Sequence, residues 1–118
     1  MTAKCLDAEV LDRIKRQRSE AFLEGLIGLF VAEAPKRIEE AWEGGKAGDR
    51  RKAGVAAHIL RCLADNIGAL AFRDLADAAE AECAVQGAPG LGRILFGIEI
   101  AFADTRACLE RARGPRPA

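Results

Sequence analysis

The chain has no tyrosine, one tryptophan and one histidine, and its 18 basic side chains are matched by 18 acidic ones. A single histidine excludes a Cys₂His₂ finger or any two-histidine metal motif, and it routes all imidazole chemistry through His58. Zero net charge excludes a protein that grips nucleic acid over its whole surface. No apolar run approaches the ~18 residues that a membrane span needs, so no membrane insertion is expected. The first residues turn charged before any apolar run builds, which is not the pattern of a signal peptide. The four cysteines, at 5, 62, 83 and 108, form no Cys-x-x-Cys pair and match no zinc-ligand spacing. They are expected to be reduced thiols in a cytoplasmic protein. Neither a GxxxxGK[ST] nor a GxGxxG loop is present, so no nucleotide site is expected.

What remains is rich in Ala, Leu, Glu and Arg, and half of its 118 residues are hydrophobic. That length suits one domain, and that composition suits helices around a core. Five helices are expected. Asp7 caps the first, about 8–17, with Val10, Leu11 and Ile14 on one side. Ser19 caps the second, whose apolar positions run in helical phase from Phe22 through Ile27, Phe30, Ala34 and Ile38 to Trp42. Pro35 either kinks or breaks it; the spacing resumes in phase, which favours a kink. Gly44-Gly45-Lys46-Ala47-Gly48 ends it. Asp49 caps a third helix that stops at Gly68, a fourth covers about 70–85, and a fifth covers about 91–112 with a stripe from Leu91 to Ala112. Short loops predict antiparallel neighbours. The expected fold is all-α: an antiparallel up-down four-helix bundle with a short additional N-terminal helix, filling 1–113 as a single domain. The tail 114–118, Gly-Pro-Arg-Pro-Ala, is expected to be disordered.

The third helix carries the chemistry. Its stripe of Ala53, Ala56, Ala57, Leu60, Leu63, Ala64 and Ile67 must face the bundle. At ~100° per residue His58 lies roughly 200° from Leu60, on the solvent side. Gly54, Val55, Arg61 and Cys62 surround it, with Arg51 and Asp65 one turn further. By phase alone His58 is a surface residue, with or without a role. The charge is uneven too: residues 1–40 sum to −1, 41–73 to +3 and 74–118 to −2. The surplus includes Arg50-Arg51-Lys52 in the first turn of this helix, where the macrodipole disfavours cations. This is a solvated run or a surface for an acidic or phosphoryl partner.

The segment Ala57-His58-Ile59-Leu60-Arg61-Cys62-Leu63-Ala64-Asp65-Asn66-Ile67-Gly68-Ala69 resembles the signature helix of histidine-containing phosphotransfer domains. That family's pattern is roughly A-H-x-L-K-G-[SA]-[SA]-x-x-[LIV]-G-[AL]. Phe22-Leu23, Leu29-Phe30, Ala34-Pro35-Lys36-Arg37-Ile38, Gly48-Asp49 and Leu75 through Glu80 resemble its flanking helices, so the likeness spans about 6–112. Three positions depart from it: Arg61 replaces the usual lysine, Cys62 the usual glycine and Leu63 a small residue. An arginine keeps the charge but offers a planar fork, and Cys62 narrows the approach that the glycine leaves open.

The resemblance implies that His58 accepts a phosphoryl group from a receiver-domain aspartate and donates it to another. Imidazole as a side-chain type is largely neutral near pH 7 and nucleophilic. The resemblance implies that Glu80, on the next helix, holds the imidazole Nδ1–H, and that Arg61 stabilises charge on the phosphoryl oxygens. Arg51 and Lys52 would steer, and Gly54, Val55, Cys62 and Asp65 would complete the partner-binding face. No cofactor of its own is expected; Mg²⁺ belongs in the receiver's acidic pocket. The expected partners are a response-regulator receiver domain and a sensor histidine kinase, of hybrid type. The chain would act as a monomeric phosphoryl carrier without kinase activity. Two other readings stay open: a degenerate adaptor that binds a receiver or kinase without transfer, and a small metal or redox protein using Cys62 and His58.

Overall fold

In a computed structural model, residues 5–113 are described, and they form five helices: α1 (Ala8–Gln17), α2 (Glu20–Lys46), α3 (Arg50–Ile67), α4 (Leu70–Cys83) and α5 (Leu91–Arg113). The tail 114–118 lies outside the described residues. No strand occurs among the described residues. The caps fall where the sequence places them. Asp7 accepts from the Glu9 amide at 3.0 Å, Ser19 from Phe22 at 2.9 Å and Asp49 from Lys52 at 3.0 Å, each satisfying a first-turn N–H that has no intrahelical acceptor. α2 runs through Pro35 as one helix. Its buried residues Leu23, Ile27, Phe30, Ala34, Ile38 and Ala41 stay in one phase on both sides of the proline.

Neighbouring helices pack α2 on α3, α3 on α4, α4 on α5 and α5 back on α2, so that four helices enclose one core. Phe30 sits at its centre, edge-on to Phe72 at 5.0 Å between ring centroids and tilted against Phe102 at 5.7 Å. Such pairs add about 0.5–1.5 kcal/mol to the burial of their area. The α3 stripe is buried as its spacing requires, with Leu63 at the margin. Two ends of the expected stripes are corrected. Phe22 is 40% exposed, beneath the Arg18 guanidinium at 4.3 Å, and Ala112 is exposed on the wall of an open pocket that it shares with Leu11 of α1 and Leu23 of α2.

Two glycines set close approaches. A Cβ on Gly44 would lie 2.7 Å from the Ala53 backbone nitrogen, so α2 and α3 meet at a distance no other residue permits. Gly68 ends α3 at φ 65°, and its carbonyl accepts from the Asp7 N–H at 2.8 Å, which ties the start of α1 to the α3–α4 turn.

The cysteines are not all reduced thiols. Cys5 and Cys108 are joined as a disulfide across 103 residues of chain. Sequence spacing cannot reveal such a pair, because packing of the N-terminal segment against α5 creates it. Cys62 and Cys83 remain free, the first exposed and the second buried. Burial pushes the Cys83 thiol above its ordinary value, and the neighbouring Glu82 charge adds to the rise.

Candidate functional site

His58 projects from the middle of α3 with its side chain 50% exposed. The face opposite it, from Ala53 to Ile67, is locked into the core, so the imidazole cannot rotate inward without turning the whole helix. Across the α3–α4 groove, Glu80 Oε2 lies 2.8 Å from His58 Nδ1. A carboxylate can only accept, so Nδ1 carries a proton, and in the neutral form of the ring Nε2 keeps its lone pair. Arg61 backs this contact: its Nε donates to Glu80 Oε1 at 3.2 Å. One of its terminal nitrogens also lies 3.2 Å from Nδ1, but that nitrogen already gives its proton to Glu80 and cannot accept a second. The guanidinium thus acts through the carboxylate rather than on the ring. It stands on the Nδ1 side of the imidazole, and its side chain is 27% exposed.

The three cations at the start of α3 go three ways. Arg50 donates to the Cys83 carbonyl at 3.3 Å, satisfying the C-terminal end of α4 with a charge that suits its dipole. Arg51 lines a shallow open depression with Gly54, Val55, His58, Glu80 and Ala84. Lys52 pairs with Glu43 on α2 at 3.1 Å and does not line that depression. Asp65 is held by Arg73 at 2.6 Å, a contact that raises the already high guanidinium pKa. Cys62 lies with its Sγ 3.7 Å from Nε2. The structure therefore brings His58, Glu80, Arg61 and Cys62 into one cluster, with Arg51, Gly54 and Val55 beside it. Lys52 and Asp65 are engaged elsewhere.

Sequence reasoning placed Arg50 in the basic run but named neither Cys83 nor Ala84 as part of this surface, nor Arg73 as the partner of Asp65. These placements depend on how α3 meets α4, and no local spacing reports them. Val55, 54% exposed, adds apolar area beside the imidazole. A more enclosed cavity of about 320 Å³, lined by Trp42, Leu91 and Leu95 among others, opens elsewhere and does not include His58. No group of three or more metal-ligating side chains occurs among the described residues. Nor is any helix among them long and apolar enough to cross a membrane.

No protein-family model and no curated protein matches the sequence. A solved structure does match: the crystal structure of histidine-containing phosphotransfer protein B from Pseudomonas aeruginosa. The two chains share 20% identity and superpose with a TM-score of 0.87 over 98% of this chain and 99% of the other. Such coverage, end to end at so low an identity, is a likeness of backbone rather than of side chains, and the fold of this chain is therefore the one that histidine-containing phosphotransfer protein B adopts.

Proposed function

We propose that this chain is a histidine phosphotransfer protein of a two-component phosphorelay. His58 takes a phosphoryl group from a receiver-domain aspartyl phosphate and returns it to another receiver aspartate. The observation that carries this reading is the exposed imidazole whose Nδ1 is held at 2.8 Å by Glu80, on the backbone of a phosphotransfer protein. With Nδ1 protonated, Nε2 attacks phosphorus in line. The N–P bond forms as the bond to the aspartyl oxygen breaks, and the electron pair leaves with the carboxylate. Glu80 stabilises the positive charge that develops on the ring, and Arg61 keeps Glu80 aimed. Transfer of this kind asks the protein mainly for position and electrostatics, which an exposed site on a rigid helix supplies.

In this reading α2 to α5 run up and down in turn, a receiver domain docks over Arg51, Gly54, Val55 and Cys62, and its own Mg²⁺ stays in its acidic pocket. The basic zone around His58 complements that pocket. The chain acts as a monomeric cytoplasmic carrier between a hybrid sensor kinase and a regulator, with no kinase activity of its own. One contact favours a second reading, an adaptor that binds without transfer: Cys62 crowds Nε2 at 3.7 Å.

Mixing the protein with a receiver domain carrying labelled aspartyl phosphate separates the two. The expected result is acid-labile, base-stable label on the wild type and none on His58→Gln. Equal labelling of both proteins would exclude His58 as the acceptor, and tight binding without label would favour the adaptor.

A further inference from the structure

Cys62 stands one helical turn beyond His58 on the exposed side of α3, and its thiol is free. Among the described residues it is the side chain within hydrogen-bonding reach of Nε2, at 3.7 Å from Sγ. The proton inventory fixes the direction of this contact. Nδ1 donates to Glu80, so in the neutral, nucleophilic form of the ring Nε2 has only a lone pair to offer. The thiol carries a hydrogen and has no other hydrogen-bond partner among the described residues, so S–H donates to Nε2.

We infer that the Cys62 thiol caps the nucleophilic nitrogen of His58 and governs how fast that nitrogen reacts with electrophiles. For phosphoryl groups this rests on the phosphotransfer reading above. The lone pair that receives the thiol proton is the same lone pair that must reach phosphorus. Reaction requires the Cys62 side chain to swing aside about its Cα–Cβ bond. The N–P bond then forms as the P–O bond breaks, the Nδ1 proton stays between the ring and Glu80, and the thiol keeps its own proton, neither oxidised nor reduced. Sulfur is a weak donor and Cys62 is exposed, so the brake is several-fold rather than absolute. It tunes the rate of the carrier instead of abolishing it.

The test uses the fact that the chain holds one histidine. Diethyl pyrocarbonate acylates imidazole, so carbethoxy-histidine reports His58 alone, without any partner protein. Cys62→Ala removes the thiol, and Cys62→Val fills its place with a group that has no proton to donate. Both variants are expected to be acylated several-fold faster than wild type. Both are also expected to take phosphoryl several-fold faster from phosphoramidate, a small donor that needs no docking surface. Equal acylation rates in all three proteins overturn the inference. So does a Cys62→Val protein as slow as wild type, since bulk rather than the proton would then be the brake. Faster acylation with no phosphoryl uptake by any of the three supports the cap and removes the phosphotransfer reading instead.

Discussion

Glu80 is the residue on which the imidazole's orientation depends. It accepts from Nδ1 at 2.8 Å and is itself braced by Arg61 at 3.2 Å, so a chain of two hydrogen bonds fixes which ring nitrogen faces solvent. A hydrogen bond to a charged group is worth roughly 1.5–3 kcal/mol, and each 1.4 kcal/mol is about ten-fold in rate. Glu80→Ala is therefore expected to slow phosphoryl uptake by about ten-fold or more, and Glu80→Gln, which keeps an acceptor but loses the charge, by less. Arg61→Ala should fall between wild type and Glu80→Ala, because it loosens the carboxylate without removing it. Stopped-time labelling from a phosphorylated receiver measures all three, with unchanged helical circular dichroism as the control. Equal rates for wild type and Glu80→Ala would make Glu80 an ordinary surface carboxylate. Periodicity alone placed His58 on the solvent side, because a stripe of six buried residues on α3 leaves its opposite face no alternative. Glu80 entered only through the family resemblance, since no spacing within α3 points to a residue 22 positions away.

The helices themselves were the most legible part of the sequence. Asp7, Ser19 and Asp49 each cap the helix they precede, and Gly68 ends α3 in the left-handed region, because these are local events between residues two to four apart. Contacts between helices were not legible. Gly44 illustrates the difference: in the sequence it belongs to a glycine-rich helix end, but in the structure it is buried where α2 meets α3. Gly44→Ala would place a Cβ 2.7 Å from the Ala53 nitrogen and 3.0 Å from the Asp49 carbonyl oxygen, and backbone cannot give way as a side-chain tip can. The expected cost is about 1–3 kcal/mol. Gly28, in the same helix, has nothing within 4 Å of its would-be Cβ. Gly28→Ala should therefore stabilise by up to about 1 kcal/mol through helix propensity. Urea unfolding of both variants reads the two signs; a Gly44→Ala protein at least as stable as wild type would contradict the packing described for Gly44.

At the scale of the whole molecule, zero net charge conceals a basic middle third whose cations are largely committed. Arg50 serves the end of α4, Lys52 pairs with Glu43, Arg61 with Glu80 and Arg73 with Asp65, while Arg51 lines the depression beside the imidazole. The Cys5–Cys108 disulfide closes almost the entire chain into a loop, and closing so long a loop is worth at most about 4–5 kcal/mol in chain entropy. Reduction, or Cys5→Ser, is expected to lower the Tm while leaving α2 to α5 folded, since their core does not include either cysteine. In the reducing cytoplasm proposed for this protein the four-helix core would have to stand without that link. An unchanged Tm in reductant would show that the pair contributes nothing to stability. The central claim is narrower than any of these: one nitrogen of one histidine carries the phosphoryl group. The most direct measurement is phosphorus NMR, with tandem mass spectrometry, of the protein after incubation with a phosphorylated receiver domain. A single phosphoramidate on Nε2 of His58 is the predicted result. A receiver that binds but keeps its phosphoryl group, or a label bonded anywhere else on the chain, would contradict it.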